Sequence, residues 1–195
     1  MLYLASQSPR RATLLQQIGI PFRVADVSVD ESWLPDESLE HYVDRIAVLK
    51  ARAAGKQLTG DHVILAADTA GICGEQRLVK PDNRSDALAM LARMSGSAHT
   101  VMTAIAVYHP ASGRLATQTV SSTVYFRQLS HEECEAYWDT GEPLDKAGGY
   151  AIQGLGGLFV ERLDGSYSGV MGLPLCETAL LLKQFGVNAW QTADN

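Results

Sequence analysis

Five apolar residues in a row, Val63-Ile64-Leu65-Ala66-Ala67, constrain this chain more than any other stretch. A strand with apolar side chains on both faces needs cover on both faces, as interior strands of layered α/β sheets have. The run stops at Asp68, which places a carboxylate at the strand's C-terminal end, where open α/β sheets hold their ligands. Such a carboxylate can activate water or hold a divalent metal. Serving an Asx turn or a helix cap is the plain structural alternative.

The flanking pattern also reads as α/β. Leu2-Tyr3-Leu4-Ala5 is a short strand running straight into Ser6-Gln7-Ser8-Pro9-Arg10-Arg11. Leu14, Leu15 and Ile18 follow at helical spacing, so Ser8 is the expected N-cap and Pro9 the first helical residue. Phe22 to Val29 alternates like a half-buried strand. Leu39 to Leu58 carries an apolar stripe through Val43 and Ile46, widened by Tyr42, Leu49 and Ala53. Ser85 to Met94 is a predicted helix, and His99–Val107 and Leu115–Phe126 are predicted strands around a turn at 109–113. Ser130-His131-Glu132-Glu133 opens a further helix with a capping box. The glycine-rich region 148–157 leads into a predicted strand Leu158-Phe159-Val160, and Leu175 to Phe185 is the last helix. The tail 191–195 is polar and expected to fray.

Composition narrows the function. Apolar residues make up 46% and charged residues 19% of the 195, the balance of a soluble globular protein. A net charge of −6 disfavours a nucleic-acid coat, which needs a broad basic face. No apolar run reaches the roughly 20 residues of a membrane span, and the opening residues lack the regions of a signal peptide. Cys73, Cys134 and Cys176 are few, odd in number and far apart, which argues against disulfides or a zinc site. A cytoplasmic protein is the expectation.

Several charged residues sit where the pattern does not want them. Arg10 and Arg11 occupy a first helical turn, where the dipole prefers acids. With the exposed amides and the hydroxyls of Ser6 and Ser8 they could cradle an anion such as phosphate, or they could be solvated arginines on an ordinary capped helix. Lys50 shares the stripe of Val43 and Ile46, so it either snorkels to solvent or reaches a phosphate. Lys80 and Lys146 lie in polar turns and could be plain surface. Four separate cation sites beside Asp30, Glu31 and Asp68 favour a metal-bridged polyphosphate. Gly154-Leu155-Gly156-Gly157 is no dinucleotide fingerprint, since no helix opens after it; a bend before a strand accounts for it. There is no Gly-Lys-Ser/Thr triplet and no His-Glu-x-x-His spacing. His99 reads equally as structural or site-related, and Ser166-Tyr167 as a turn or a substrate contact.

Taken together, these pieces resemble the Maf nucleotide pyrophosphatases, relatives of the inosine-triphosphate pyrophosphatase fold, over roughly residues 2 to 186. The resemblance rests on Ala5-Ser6-Gln7-Ser8-Pro9-Arg10-Arg11, Glu31, Lys50-Ala51, Ala67-Asp68-Thr69, Lys80-Pro81, Ser95-Gly96 and His99. It continues through Asp145-Lys146-Ala147-Gly148, Tyr150, Ile152-Gln153-Gly154, Ser166-Tyr167 and Val170-Met171-Gly172-Leu173-Pro174. It implies an α/β fold, a central twisted mixed β-sheet flanked by helices with two lobes around a cleft, in a single catalytic domain over 1–195. It further implies hydrolysis of a nucleoside triphosphate between the α- and β-phosphates with a divalent metal, Mg or Mn. Asp68 would be the base that activates water and, with Glu31, a metal ligand. Ser6, Arg10, Lys50 and Lys80 would contact phosphates, and a homodimer is implied as well.

Arg11, Thr69 and Gln153 resemble the branch acting on dTTP and UTP; modified pyrimidine nucleotides and other non-standard nucleotides are further candidate substrates. The sister branch acting on 7-methyl-GTP resembles a tryptophan-and-glutamate pattern suited to a cationic purine. Gln153 offers a donor and an acceptor that could match the O4 and N3–H edge of uracil or thymine. Two positions depart from the family: Leu49 where a glutamate is common, and Ala70-Gly71 where β-branched residues usually continue the strand. Glycine there is expected to loosen it. A non-catalytic nucleotide-binding regulator of cell division is the alternative from a different class.

Overall fold

The computed structural model describes residues 1–190; the polar tail at 191–195 lies outside them. In chain order the elements are β1 (Leu2–Ala5), α1 (Pro9–Gln17), β2 (Arg23–Val24), α2 (Leu39–Gln57), β3 (Val63–Cys73) and β4 (Gln76–Leu78). They continue with α3 (Arg84–Met94), β5 (Ala98–His109), β6 (Arg114–Phe126), α4 (His131–Asp139), β7 (Val160–Asp164), α5 (Tyr167–Met171) and α6 (Leu175–Lys183). Neighbouring strands run in the order β2-β1-β3-β5-β6-β7, with β4 on β3. β1 pairs in parallel with β2 and β3, whereas β3/β4 and β6/β7 are antiparallel. The expected mixed α/β sheet is present. No helix among the described residues is long and apolar enough to cross a membrane.

The chain divides into two compact units. Among the described residues the first comprises 1–69, 103–120 and 172–190. Its buried core includes the run Ile64 to Ala67 together with Leu4, Leu14, Leu15, Val43 and Ile46. The apolar spacing of α2 buries Val43, Ile46, Ala47, Lys50, Ala51 and Ala54 along one stripe. The second unit comprises residues 70–102 and 121–171. Its core packs Leu91, Met94, Val124, Phe126, Tyr150 and Phe159.

The structure corrects the predicted strands in three places. The strand at Phe22–Val29 shrinks to Arg23–Val24, because four-residue β1 offers it only Tyr3 and Leu4 as partners. Asp68 does not end its strand: β3 continues to Cys73, held beyond Gly71 by antiparallel pairing with β4. Gly71 does not loosen that strand. A Cβ there would meet the Thr100 carbonyl at 3.1 Å and Leu78 Cδ1 at 3.0 Å, so glycine admits a close approach. The predicted strand at Leu158 is a 3-10 turn over Leu155–Phe159, and β7 starts at Val160. Cβ atoms on Gly156 and Gly157 would lie within 3.0 Å of the Ala151 and Ile152 backbone, and this close wrapping keeps the stretch in a turn.

Candidate functional site

β1 and the helix after it bring Ser6 and Arg11 to one spot. Ser8 is the N-cap of α1 by its backbone, and Pro9 occupies the first turn, yet the Ser8 side chain makes no capping bond. Its own N–H donates instead to Ser6 Oγ at 3.2 Å. Arg11 turns inward. Its Nε donates to the Gly172 carbonyl at 2.8 Å, Nη1 to Ser6 Oγ at 3.3 Å and Nη2 to Thr69 Oγ1 at 3.1 Å. Thr69 Oγ1 in turn lies 2.8 Å from Thr103 Oγ1. Burial lowers the Arg11 pKa, while the Asp68 charge works against that fall. Gly172 has φ +119°, a backbone sign that side chains resist, and it brings its carbonyl to the guanidinium.

Of the two guanidinium forks expected in an anion cradle, Arg11 therefore has three of its five N–H donors engaged by the protein. The half-buried Arg10 makes no hydrogen bond or ion pair among the described residues.

Asp68 lies beside this cluster, one residue before Thr69. The β1/β3 pairing ends at Ala5↔Ala66, so Asp68 sits two residues past the point where its neighbouring strand turns away to Ser6. The crevice rule for strand ends is met by the end of β1 rather than of β3. Asp68 is only 5% exposed. Its Oδ1 accepts from Lys50 Nζ at 2.7 Å, and the same ammonium lies 2.8 Å from Glu31 Oε1. Lys50 thus neither snorkels nor stands free: its inward stripe position delivers it between two carboxylates. Burial pushes the Asp68 pKa up, opposed by Lys50 and Arg11 and reinforced by Glu31.

Two carboxylates facing one cation form a donor set that suits magnesium carried in with substrate phosphates. No group of three or more ligating side chains occurs among the described residues. Glu31 and Asp68 would hold a divalent ion with phosphate and water oxygens completing its shell, and the Lys50 ammonium marks where positive charge is favoured.

Glu31 sits in an irregular segment between β2 and α2 that side chains tie down. Tyr42 Oη donates to the Glu31 carbonyl at 3.0 Å. Arg45 Nη2 donates to the Ser32 carbonyl at 2.9 Å, and the same guanidinium grips Glu37 two-pronged at 2.6 and 2.7 Å. Trp33 stacks on Tyr42 with 3.8 Å between ring centroids and 3° between planes, and Asp30 Oδ1 accepts from the Ser32 N–H. The Arg45 guanidinium holds Glu37 down to about 2. Burial, then the charges of Asp68 and Glu31, push Tyr42 up to about 12. Sequence reasoning took Tyr42 for core and passed over Arg45, Glu37 and Trp33. The available signal was the spacing of Tyr42, Arg45 and Lys50 on one helix.

The remaining expected residues belong to the second unit. Lys80 and Gln153 are exposed and make no hydrogen bond or ion pair among the described residues. Lys146 pairs with neighbouring Asp145. Ser166 Oγ accepts from the Gly169 N–H and so caps a short helix. His99 is a core residue: it is 2% exposed, its Nε2 lies 2.7 Å from Tyr150 Oη and its ring packs edge-on against Phe126. Burial lowers its pKa to about 4. The segment bearing Gln153 is anchored by Glu142, which accepts from Tyr137 Oη at 2.7 Å, Leu155 N at 3.0 Å and Gly156 N at 2.9 Å.

A family model described as Maf-like protein matches residues 1–185. A protein of Hahella chejuensis named dTTP/UTP pyrophosphatase is 49% identical over 192 residues, covering 97% of this chain and 94% of the relative. Proteins of the same name from Pseudoalteromonas atlantica and Pasteurella multocida are 47% and 48% identical, covering 96% and 95% of this chain and 98% and 96% of the relatives. Among solved structures, the Ham1 protein of Staphylococcus aureus aligns with a TM-score of 0.43 at 14% identity, over 64% of this chain and 71% of that one.

Proposed function

This chain belongs to the Maf family, and we infer from that premise that it is a nucleotide pyrophosphatase acting on dTTP and UTP. It cleaves between the α- and β-phosphates and releases the nucleoside monophosphate and pyrophosphate. The observation that carries the chemistry is the buried Asp68 carboxylate, 2.7 Å from Lys50 Nζ and one residue from the Arg11–Thr69 bond. A base working near neutrality benefits from a raised pKa, and burial raises that of Asp68.

In the reaction Asp68 takes a proton from water as the water oxygen bonds to the α-phosphorus, and the electron pair of the broken P–O bond leaves with the departing pyrophosphate. Lys50 balances Asp68 and Glu31 at rest and meets phosphate charge when substrate arrives. Glu31 and Asp68 would hold a divalent cation, Mg or Mn, whose charge would stabilise the leaving group. Arg10 and the unspent amides of α1 serve phosphate oxygens beside Ser6. Lys80 takes a second phosphate role, and Arg11, Thr69 and Gln153 set the pyrimidine preference. On this reading residues 1–195 form one catalytic domain, cytoplasmic and homodimeric, and modified pyrimidine nucleotides are additional substrates.

A panel of canonical and modified nucleotides with Mg or Mn, with products identified, tests the proposal. The expected result is pyrophosphate from dTTP and UTP, lost in Asp68→Asn. Orthophosphate release would overturn the assigned bond, and absence of turnover throughout would overturn the enzyme.

A further inference from the structure

Glu31 reaches the Lys50 ammonium from a stretch with no helix or strand of its own. Ala25 N–H still donates to the Leu4 carbonyl, but no helix or strand holds the backbone around Glu31, so side chains must fix it there. The side chains bonded to the carbonyls of Glu31 and Ser32 come from α2, the helix that also carries Lys50. Tyr42 Oη holds the carbonyl of Glu31 itself, and Arg45 holds the carbonyl of the next residue, Ser32. Arg45 also bonds Glu37 through Nε and Nη2 at once, which fixes the guanidinium plane in a way one ammonium could not. Glu37 Oε2 in turn accepts from the Leu34 N–H at 3.1 Å, closing the loop upon its own clamp. Trp33 covers the Tyr42 ring. Among the described residues neither Tyr42 nor Arg45 bonds Asp68 or Lys50 by hydrogen bond or ion pair.

We propose that Tyr42 and Arg45 are positioning residues that set the Glu31 carboxylate for metal-nucleotide binding. This rests on the metal role given to Glu31 above. α2 then fixes both sides of the charge arrangement: Lys50 directly, and Glu31 by its two adjacent carbonyls. Loosening the clamp lets Glu31 swing into solvent, where its side chain is already half exposed, and leaves Asp68 with Lys50 alone.

The test uses the full chain with Mn2+ and the non-hydrolysable α,β-methylene analogue of dTTP. Free Mn2+ is read by electron paramagnetic resonance, and turnover is read separately against Mn2+ concentration. Glu31→Gln is the reference. Arg45→Met is expected to weaken Mn2+ binding about tenfold, one such hydrogen-bonded charge contact in fold-change terms. The loss should fall on the half-saturating Mn2+ concentration rather than on kcat. Arg45→Lys should recover part of the affinity, since it keeps the charge and loses the fork. Tyr42→Phe removes one oxygen and keeps the ring stack, so it remains informative if Arg45→Met folds poorly; about a threefold loss is expected. If Glu31→Gln weakens Mn2+ binding while Tyr42→Phe and both Arg45 variants match the native protein, the positioning role is refuted and the metal role of Glu31 stands. If Glu31→Gln itself binds Mn2+ like the native protein, the metal role falls and the positioning role falls with it.

Discussion

Lys50→Met would expose how the resting site balances its charges. Native Asp68 is 5% exposed and has Lys50 at 2.7 Å; Glu31, on the other side of the ammonium, is half exposed. Methionine keeps most of the stem but strands a buried carboxylate. Removing one partner of a buried pair costs about 3–5 kcal/mol, and the lower end applies here because Glu31 can turn to water. For a chain of this length about 3 kcal/mol corresponds to a melting temperature lower by roughly 6–12 °C.

Asp68→Asn alone strands the lysine less severely, because Glu31 still holds it. The double variant Lys50→Met/Asp68→Asn should therefore recover about 2 kcal/mol relative to the sum of the single losses. The sign with pH follows from the Asp68 pKa, which lies above its ordinary value. Its ionised form is disfavoured in the fold, so the cost is absent at pH below the unfolded pKa and complete above the folded one. Losing Lys50 raises that pKa further. The penalty of Lys50→Met should shrink as pH falls, and the acid limb of the kcat/KM profile of any residual activity should move to higher pH. Denaturant melts of the four proteins at neutral and acid pH measure the coupling. Single losses that add to within about 0.5 kcal/mol at neutral pH would refute the idea that this pair is energetically one unit.

Two further outcomes follow from the second unit. Burial lowers the His99 pKa to about 4 from its ordinary value of about 6.5, so the unfolded chain binds its proton first and stability should fall as pH drops from about 6.5 towards 4. The slope integrates to about 3 kcal/mol at most, and urea melts of His99→Phe should lack it. Glu142→Gln replaces with a donor either Oε1, which faces Tyr137 Oη and the Gly156 amide, or Oε2, which faces the Leu155 amide, which should cost about 1–3 kcal/mol. Hydrogen exchange at those two amides should speed up, and unchanged exchange would count against the anchoring of the Gln153 segment.

Much of the fold was legible where local pattern and burial agree. The run Val63 to Ala67 is wholly buried apart from Val63, the Ser130/Glu133 capping box forms with both bonds, and the α2 stripe aims Lys50 inward. The continuation of β3 past Asp68 was not legible, because Asp-Thr-Ala-Gly breaks the apolar pattern while pairing with β4 keeps the strand extended. Arg11 was ambiguous for a related reason. A helix-start argument sees its charge but not the Gly172 carbonyl, 161 residues away, that draws it inward. Glu31 was legible as a charged candidate beside Asp30, but its metal role came only from the resemblance, and its place against Lys50 was hidden because its segment carries no periodicity of its own.

The stripe of α2 has an evolutionary corollary. Successive helical residues are rotated by roughly 100° about the axis, so a single codon gained or lost between Tyr42 and Lys50 would twist the loop-holding end away from the ammonium-bearing end. Every side chain could be retained and the constellation would still be dismantled. Drift in this segment should therefore proceed by replacement of letters, while changes of length are confined to the exposed hairpin tips.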